Sequence, residues 1–184
     1  FPYTTLFRSG GFGTVARIVH RPSMRVLAGK LINQNLLNED TRKDVEHEIK
    51  LMKEVDSPYT VHYYGCVPYE NTLMILMEYC DGGSLRDLLD KREQVLSEDQ
   101  ISIIMRDLLK GLQLIHTRYR IVHRDIKAAN ILLTMNGEVR IADFGVSRRF
   151  ESSGTCHTKT IVGTPYWMAP EVITGNNYKI GRAS

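Results

Sequence analysis

Apolar segments of strand-like composition dominate the first eighty residues of the chain. Residues 14–20 and 25–32 are rich in β-branched and apolar side chains, and the proline in residues 21–23 favours a turn between them. Two further strands are predicted over residues 61–67 and 72–79. The first part of the chain is therefore predicted to consist mainly of strands.

One helix interrupts these strands. Val45, Ile49 and Met52 recur at helical spacing, which predicts a helix over residues 39–55. The residue before a proline disfavours helical backbone, so Pro58 lies beyond the end of this helix.

The second part of the chain is predicted to be mostly helical. A glycine-containing connector at residues 81–84 precedes a short helix around residues 85–89, and Ser97 with Gln100 forms a capping box for a longer helix. Helical spacing places six apolar residues on one face of that helix: Ile101, Ile104, Met105, Leu108, Leu112 and Ile115.

A hairpin is predicted after the long helix. Residues 131–133 and 139–142 flank Asn136-Gly137, a strong signal for a tight turn. Strands with one helix, followed by helices with a hairpin, predict an α+β fold.

Composition limits the possible functions. The 184 residues suffice for one domain of ordinary size, and a net charge of +3 is too small to favour nucleic acid or a membrane surface as a partner. No apolar run approaches the roughly 20 residues of a membrane span. Cys66, Cys80 and Cys156 lack metal-site spacing, which favours free thiols in a reducing cytoplasm.

Both ends of the chain resemble translated sequencing-adapter DNA. Residues 1–9 match one reading frame of such an adapter, and about residues 179–184 match its reverse complement. We expect the natural segment to span about residues 10–178, the alternative being a genuine first strand and final loop.

Two motifs indicate the chemistry. His123 to Asn130 has the pattern H-R-D-x-K-x-x-N, and Asp143 begins the sequence D-F-G. Together they resemble the catalytic and metal-binding loops of protein kinases. The resemblance implies that Asp125 accepts the proton of the substrate hydroxyl, that Lys127 neutralises the transferred phosphate, and that Asn130 and Asp143 hold Mg²⁺.

The resemblance extends to the ATP-binding residues of kinases. Lys30, in a predicted strand, would pair with the α- and β-phosphates, and Glu48 is the expected partner of Lys30, with Glu46 as the alternative. Met77 would border the adenine pocket, where the backbone of Glu78 and Cys80 would bind the base. The remaining candidates are the phosphate-loop residues Gly10, Gly11 and Gly13 and the adenine-sandwiching residues Val15, Ala28 and Leu132.

The sequence also suggests a regulatory segment before Gly163-Thr164-Pro165. By the resemblance, Thr160 is the expected phosphorylation site, with Thr155 and Thr158 as alternatives. Arg124 would pair with the phosphorylated residue and so order the segment.

The whole set of motifs resembles a eukaryotic serine/threonine kinase domain, most similar to the Hippo-type branch of the sterile-twenty group. This implies a bilobal fold with a small lobe over about residues 10–79 and part of a large lobe over about 80–178. The same resemblance implies ATP and Mg²⁺ as cofactors and a protein as the substrate. An upstream kinase of a mitogen-activated cascade and a pseudokinase scaffold are the alternatives, dimerisation is left open, and the chain is expected to be an inactive piece of an active parent.

Overall fold

The first part of the chain folds into a five-stranded antiparallel sheet. The computed structural model describes residues 3–10, 13–91, 95–150, 155–156, 163–174 and 178–179. Within them the strand order of this sheet is β1-β2-β3-β5-β4. The strands are β1 (Tyr3–Gly10), β2 (Gly13–His20), β3 (Arg25–Asn33), β4 (Tyr63–Tyr69) and β5 (Thr72–Glu78).

A single long helix, α1 (Glu39–Glu54), packs against this sheet. Asn38 caps its start by accepting a hydrogen bond from the Thr41 backbone N–H at 2.8 Å, and such a cap satisfies a backbone donor that the helix leaves unpaired. The helix contributes Val45, Leu51 and Met52 to a core cluster that includes Ile32 and Ile75. This burial fixes the face of α1 that points towards the sheet.

The second part of the chain is mainly helical, with short strand pairs. Its helices are α2 (Leu85–Lys91), α3 (Glu98–Thr117) and α4 (Pro170–Ile173), with single 3₁₀ turns at Ala128–Asn130 and Pro165–Trp167; a further 3₁₀ turn, Gln34–Leu36, precedes α1. Its strands are β6 (Gly83–Ser84), β7 (Ile121–Val122), β8 (Ile131–Leu133), β9 (Val139–Ile141), β10 (Arg148–Arg149), β11 (Thr155–Cys156) and β12 (Tyr178–Lys179). The predicted α+β class is confirmed.

The predicted apolar face of α3 is wrong at its edge. Ile104, Leu108 and Ile115 are buried, but Ile101 and Met105 are 41% and 44% exposed. Each residue turns a helix by about 100°, so a stripe that centres on Ile104 and Leu108 leaves both exposed residues at its margin.

The centre of the buried α3 stripe contains a glycine. A side-chain carbon at Gly111 would lie 2.8 Å from atoms of both Tyr59 and Ile141, so α3 approaches these residues closely. Ile141 lies in β9, the strand that leads to Asp143. The close contact therefore positions the D-F-G motif on the helical part of the molecule.

Gly29 lies in β3, immediately before Lys30. A side-chain carbon at Gly29 would lie 2.0 Å from Cδ1 of Ile18 in the neighbouring strand. Ile18 is fully buried and belongs to a cluster with Ala16 and Met74. The isoleucine thus fills the space that a side chain at position 29 would take.

Several short elements lie beyond what the pattern predicted. The pairings β7 with β10, β6 with β8 and β11 with β12 each involve two residues per strand. Strands this short carry no detectable alternation of apolar and polar residues. Strand β1 (Tyr3–Gly10) was expected only under the alternative that residues 1–9 are a genuine first strand.

Candidate active site

A cleft of about 680 Å³ is lined by residues of both parts of the chain. This size suits a small-molecule ligand. Eleven of its lining residues are candidates from the sequence: Gly13, Val15, Ala28, Lys30, Glu48, Glu78, Cys80, Lys127, Asn130, Leu132 and Asp143. The cleft also has lining residues that the sequence did not indicate, among them Asp81, Ser84, Asp87, Leu88 and Lys91.

Lys30 and Glu48 form an ion pair inside the cleft. The Lys30 ammonium lies 2.6 Å and 2.9 Å from the two Glu48 carboxylate oxygens, and the side chains are only 15% and 5% exposed. Burial raises the pKa of Glu48, and the adjacent Lys30 charge opposes that rise. Glu46, the alternative partner, is exposed on the other side of α1.

Lys30 also approaches the D-F-G motif. Its ammonium lies 3.8 Å from Oδ1 of Asp143, whose side chain is 48% exposed in the cleft. The lysine is therefore held between a buried carboxylate and an open one. This arrangement fixes one positive charge beside an accessible negative group.

Asp125 is the centre of a hydrogen-bonded group of side chains. Its Oδ1 accepts a hydrogen bond from the Thr164 hydroxyl at 2.6 Å, and its Oδ2 accepts from Lys127 at 2.7 Å and from the Asn130 amide at 2.9 Å. Lys127 also donates to the Thr164 hydroxyl oxygen at 2.7 Å. These four residues come from two separate segments, 125–130 and 164.

The group keeps Asp125 ionised. Burial acts to raise the pKa of this carboxyl, but hydrogen bonds from Lys127 and Thr164, the Lys127 charge and the Asn130 amide outweigh burial and leave the pKa lowered. An ionised carboxylate can accept a proton, so Asp125 has the protonation state required of a base.

Asn130 and Asp143 suit a hard divalent cation. The Asn130 NH₂ group donates to both the Asp125 backbone and side chain at 2.9 Å, which leaves the amide oxygen as its acceptor on the other side. Among the described residues, no donor hydrogen-bonds to that oxygen. An amide oxygen and an open carboxylate on the same cleft are the ligand types that Mg²⁺ takes.

Buried His123 holds the two motif loops together. Its Nε2 donates to the carbonyl of Ala142 at 2.9 Å, its Nδ1 accepts from the Asp125 backbone N–H at 3.3 Å, and its ring meets Phe144 edge-on at 5.3 Å. Each contact joins the catalytic loop internally or to the segment that carries Asp143. His123 is thus a structural connection between the two motifs.

Stability is expected to fall on acidification because of His123. Burial lowers the pKa of this imidazole, so below about pH 6.5 the unfolded chain binds a proton that the folded protein does not. The free energy of unfolding should therefore decrease by up to about 1.4 kcal/mol per pH unit for this group. Urea unfolding between about pH 5.5 and 7.5 measures the slope.

His123→Gln should reduce that slope, since glutamine does not titrate. His47 and His116, whose pKa values burial also lowers, account for the slope that remains. Parallel curves for the wild-type protein and His123→Gln would show that the imidazole does not carry this dependence.

Gly163 places the segment that carries Thr164 against the catalytic loop. Its φ is +123°, and a side-chain carbon there would lie 2.5 Å from the backbone oxygen of Arg124. Arg124 itself has φ +68° and donates from Nε to the Val146 carbonyl at 2.6 Å. The backbone contact at Gly163 therefore sets where Thr164 meets Asp125.

Gly163→Ala is expected to displace Thr164 and to cost about 1–3 kcal/mol of stability. Gly137→Ala is the matched control, because Gly137 has φ +78° but open space around it. Thermal unfolding of both variants is the measurement. A loss of stability in Gly163→Ala no greater than that in Gly137→Ala would contradict a role for the contact.

A polar network lies behind the cleft, at the end of β5. Arg140 Nε lies 3.1 Å from both carboxylate oxygens of Glu78, and Arg140 Nη1 donates to the Pro58 carbonyl at 2.7 Å. This network uses the Glu78 side chain, and the Glu78 backbone N–H donates to the His62 carbonyl at 2.8 Å, so neither group is available to a ligand. Cys80 is buried, and burial raises the pKa of its thiol to about 12, so it is a neutral thiol.

Some candidates lie away from the cleft or outside the described residues. Met77 pairs with Ala28 across the sheet and packs against the core cluster of Ile32 and Ile75, and it is not among the residues that line the cleft. Gly10 ends β1, whereas Gly11 and Thr160 lie outside the described residues.

The direct contact of Thr164 with Asp125 was not predicted from the sequence, where Thr164 was expected to be a regulatory residue. Thirty-nine residues separate the two side chains. The Thr164 hydroxyl beside Gly163 was the available signal, but only the folded chain shows which side chain that hydroxyl contacts.

Comparison with known proteins gives a consistent result. The family model described as "Protein kinase domain" matches residues 6–183. The chain is 46% identical over 169 residues to serine/threonine-protein kinase dst1 of Dictyostelium discoideum, and 43% identical over 169 residues to serine/threonine-protein kinase hippo of Drosophila melanogaster. It is also 43% identical over 169 residues to serine/threonine-protein kinase cst-1 of Caenorhabditis elegans.

Each of these matches covers 92% of this chain. The chain in turn spans 22% of dst1, 24% of hippo and 33% of cst-1. The similarity predicted to Hippo-type kinases is confirmed by these relatives.

Proposed function

The chain belongs to the protein kinase domain family, and on this premise we propose that its parent protein transfers the γ-phosphate of ATP to serine or threonine hydroxyls of other proteins. One observation carries the proposal. Lys127 and Asn130, which both hydrogen-bond to Asp125, line the same cleft as the Lys30–Glu48 pair and Asp143, whereas Asp125 and Thr164 line a second pocket of about 170 Å³. A phosphate-binding lysine is thereby available to a ligand of the cleft, with the base beside it through Lys127 and Asn130.

Adenine is proposed to lie at the inner end of the cleft. Val15 and Ala28 would cover one face of the base and Leu132 the other, since all three line the cleft from opposite parts of the chain. Among the described residues, none accepts a hydrogen bond from the Cys80 backbone N–H, which is therefore available to a ring nitrogen. The phosphates would then extend towards Lys30.

Lys30 is proposed to bind phosphate oxygens while Glu48 holds its ammonium in place. An ammonium fixed by a buried carboxylate does not have to reorganise when charge develops during transfer. Gly13 would let the backbone of β2 approach the phosphates without a side chain in between.

Asp125 is proposed to orient the substrate hydroxyl and to accept its proton as the hydroxyl oxygen attacks the γ-phosphorus. The carboxylate is ionised, and each of its oxygens is already held by a donor, so its orientation is fixed. Lys127 would place its positive charge on the transferred phosphoryl group. Thr164 would hold the Lys127 and Asp125 side chains in fixed relative positions through its two hydrogen bonds.

Asn130 and Asp143 would hold Mg²⁺, which when bound supplies positive charge to the phosphate oxygens. The donor set fits, because the amide oxygen of Asn130 and the carboxylate of Asp143 both remain open to the cleft. Asn130 therefore serves two purposes, since its NH₂ group orients Asp125 at the same time.

A signalling role is proposed for the parent protein. Its relatives dst1, hippo and cst-1 are serine/threonine kinases by name, and Lys127 fits that hydroxyl specificity. Phosphorylation of Thr160 and its pairing with Arg124 would order the segment before Gly163. The free thiols of Cys66 and Cys80 agree with a reducing cytoplasm, and no helix in the described part has the length and apolar character of a membrane span.

The alternative of a pseudokinase scaffold is disfavoured by the geometry. Lys30, Glu48, Asp125, Asn130 and Asp143 are present together, and all five make the contacts described above. A binding module has no need of an ionised carboxylate beside a lysine and an open metal site.

Labelled phosphate transfer tests the proposal. The full-length protein would be incubated with Mg²⁺, γ-labelled ATP and a mixture of acceptor proteins, followed by phosphoamino-acid analysis. We expect label on serine and threonine. Label on tyrosine alone, or ATP hydrolysis without a labelled acceptor, would contradict the proposed reaction.

A further inference from the structure

The segment that follows the D-F-G motif touches α1 at three points. Residues 147–149 provide one backbone carbonyl and two arginine side chains, and α1 provides a histidine and two carboxylates. We call residues 147–149 the arginine segment. It joins the helix that carries Glu48 to the strand pair beside the catalytic loop.

The three contacts are polar and lie along the length of α1. His47 Nε2 donates to the Ser147 carbonyl at 3.2 Å, and Arg148 Nη2 lies 3.6 Å from Oδ1 of Asp44. Arg149 pairs with Glu54 at the last residue of the helix. Two arginines in succession thus find two acids ten residues apart on the same helix.

These contacts bracket Glu48 along the helix. Asp44 lies four residues before Glu48, so both side chains project from the same side of α1, whereas Glu54 lies about two turns further on. A rotation of α1, or a shift away from the sheet, would have to break contacts at both ends. The same movement would separate Glu48 from Lys30, because Lys30 belongs to β3.

The arginine segment is itself anchored to the large part of the chain. Arg148 and Arg149 form β10, which pairs with β7, and β7 ends immediately before His123. Arg149 Nη1 also donates to the Tyr119 carbonyl at 3.2 Å. The segment that contacts α1 is therefore paired with β7, the same strand that leads into the catalytic loop.

A second contact acts at the same end of α1. The Tyr119 hydroxyl donates to the Asp56 carbonyl at 2.8 Å and accepts from the Asp56 backbone N–H at 3.1 Å. The Tyr119 hydroxyl thus holds the chain just beyond α1, and the Tyr119 carbonyl accepts the hydrogen bond from Arg149. The two ion pairs and the His47 hydrogen bond thus add polar contacts to the apolar burial that already orients the helix.

We propose that Arg148 and Arg149 are positioning residues for phosphate transfer: through Asp44 and Glu54 they hold α1 at the angle that places Glu48 on Lys30. This inference rests on the proposed kinase function. It assigns the arginines no contact with substrate or nucleotide. Their effect is on the fraction of molecules in which Lys30 is correctly held, and hence on kcat.

The size of the effect follows from the exposure of the pairs. The side chains of both pairs are between 35% and 49% exposed, and exposed ion pairs are individually weak. Removal of one arginine should lower kcat about two- to fivefold, and removal of both about tenfold. The KM for ATP should change by less than about twofold, because Glu48 on α1 positions the Lys30 ammonium and does not contact the adenine.

The experiment uses the full-length protein with Arg148→Ala, Arg149→Ala and the double variant, and it measures kcat and KM separately. Lys43→Ala is the matched control, since it breaks the exposed Lys43–Glu39 pair on the same helix without touching the arginine segment. The control should keep wild-type kcat. Loss of kcat in the control equal to that in the double variant would overturn the inference.

A charge exchange separates positioning from general damage. Arg148→Asp should lower kcat more than Arg148→Ala, since it sets two carboxylates against each other. Adding Asp44→Arg should then recover most of the loss, because the pair is re-formed with its charges reversed. Failure of the exchanged pair to recover activity beyond Arg148→Asp alone would contradict the proposal.

Amide hydrogen exchange on α1 distinguishes this inference from the proposed function. The double variant should exchange faster than Lys43→Ala at amides around Glu48, whether or not the protein transfers phosphate. If the wild-type protein is active and the double variant keeps both wild-type kcat and wild-type exchange, the inference about the arginines is overturned and the proposed function stands. An inactive wild-type protein would overturn the proposed function, and the exchange data would still decide the role of the arginines.

Discussion

Asp125→Asn is expected to lower the rate of phosphate transfer by about 10²–10⁴-fold and to leave ATP affinity nearly unchanged. The amide has almost the same shape as the carboxylate but cannot accept the substrate proton. Its oxygen can still receive Lys127 and Asn130, and its NH₂ group can donate to the Thr164 hydroxyl oxygen. Side chains around position 125 should therefore stay in place.

Single-turnover rates and nucleotide binding measure the two expectations separately. Asp90→Asn on α2 is the matched control, because it makes the same chemical change in the exposed Arg86–Asp90 pair. A variant at position 125 that retained more than about a tenth of the wild-type rate would exclude Asp125 as the base.

Lys30→Met is expected to reduce both activity and stability. Removal of one charge-stabilising donor from a reaction site costs about 10²–10³-fold in rate. Removal of one partner from a buried ion pair also costs about 3–5 kcal/mol, since the Glu48 carboxylate would stay buried without its counter-charge. Burial already raises the pKa of Glu48, so part of this cost is relieved by protonation.

The double variant Lys30→Met with Glu48→Leu separates these two effects. It removes both charges and leaves two apolar side chains in a site that is at most 15% exposed. Stability should recover towards the wild-type value, whereas phosphate transfer should stay as low as in Lys30→Met. Urea unfolding and transfer rates are the measurements, and recovery of the rate would contradict the role of Lys30.

The protein kinase family could be predicted from sequence because the residues of its two main motifs are close together in the chain. Asp125, Lys127 and Asn130 lie within six residues, and Asp143 follows a hairpin with a strong turn signal. Local spacing fixes which side chains can meet. Strands β2 to β5 and helix α1 were predictable for the same reason, since periodicity is a local property.

Contacts between distant segments could not be predicted in this way. Thr164 reaches Asp125 only because Gly163 allows its backbone to approach Arg124, and no pattern around residue 164 encodes that distance. The pairing of Arg148 with Asp44 depends likewise on the position of α1 relative to β10.

Packing determines two further features that the sequence pattern does not define. Ile101 lies at the margin of the buried face of α3, where the helical pattern alone could not locate the edge. Gly29 is accommodated because Ile18 of the adjacent strand fills the space beside it. Both features depend on neighbours that are remote in sequence, so only the assembled core defines them.

Comparison of the wild-type protein with Asp143→Ala tests the central claim most directly. That claim is that the cleft transfers phosphate from ATP with a metal held by Asp143 and Asn130. The measurement is the initial rate of transfer from γ-labelled ATP to a protein acceptor in the presence of Mg²⁺, with the full-length protein. We predict steady transfer by the wild-type protein and a reduction of at least about 10²-fold in Asp143→Ala. Equal transfer by both proteins would contradict the claim.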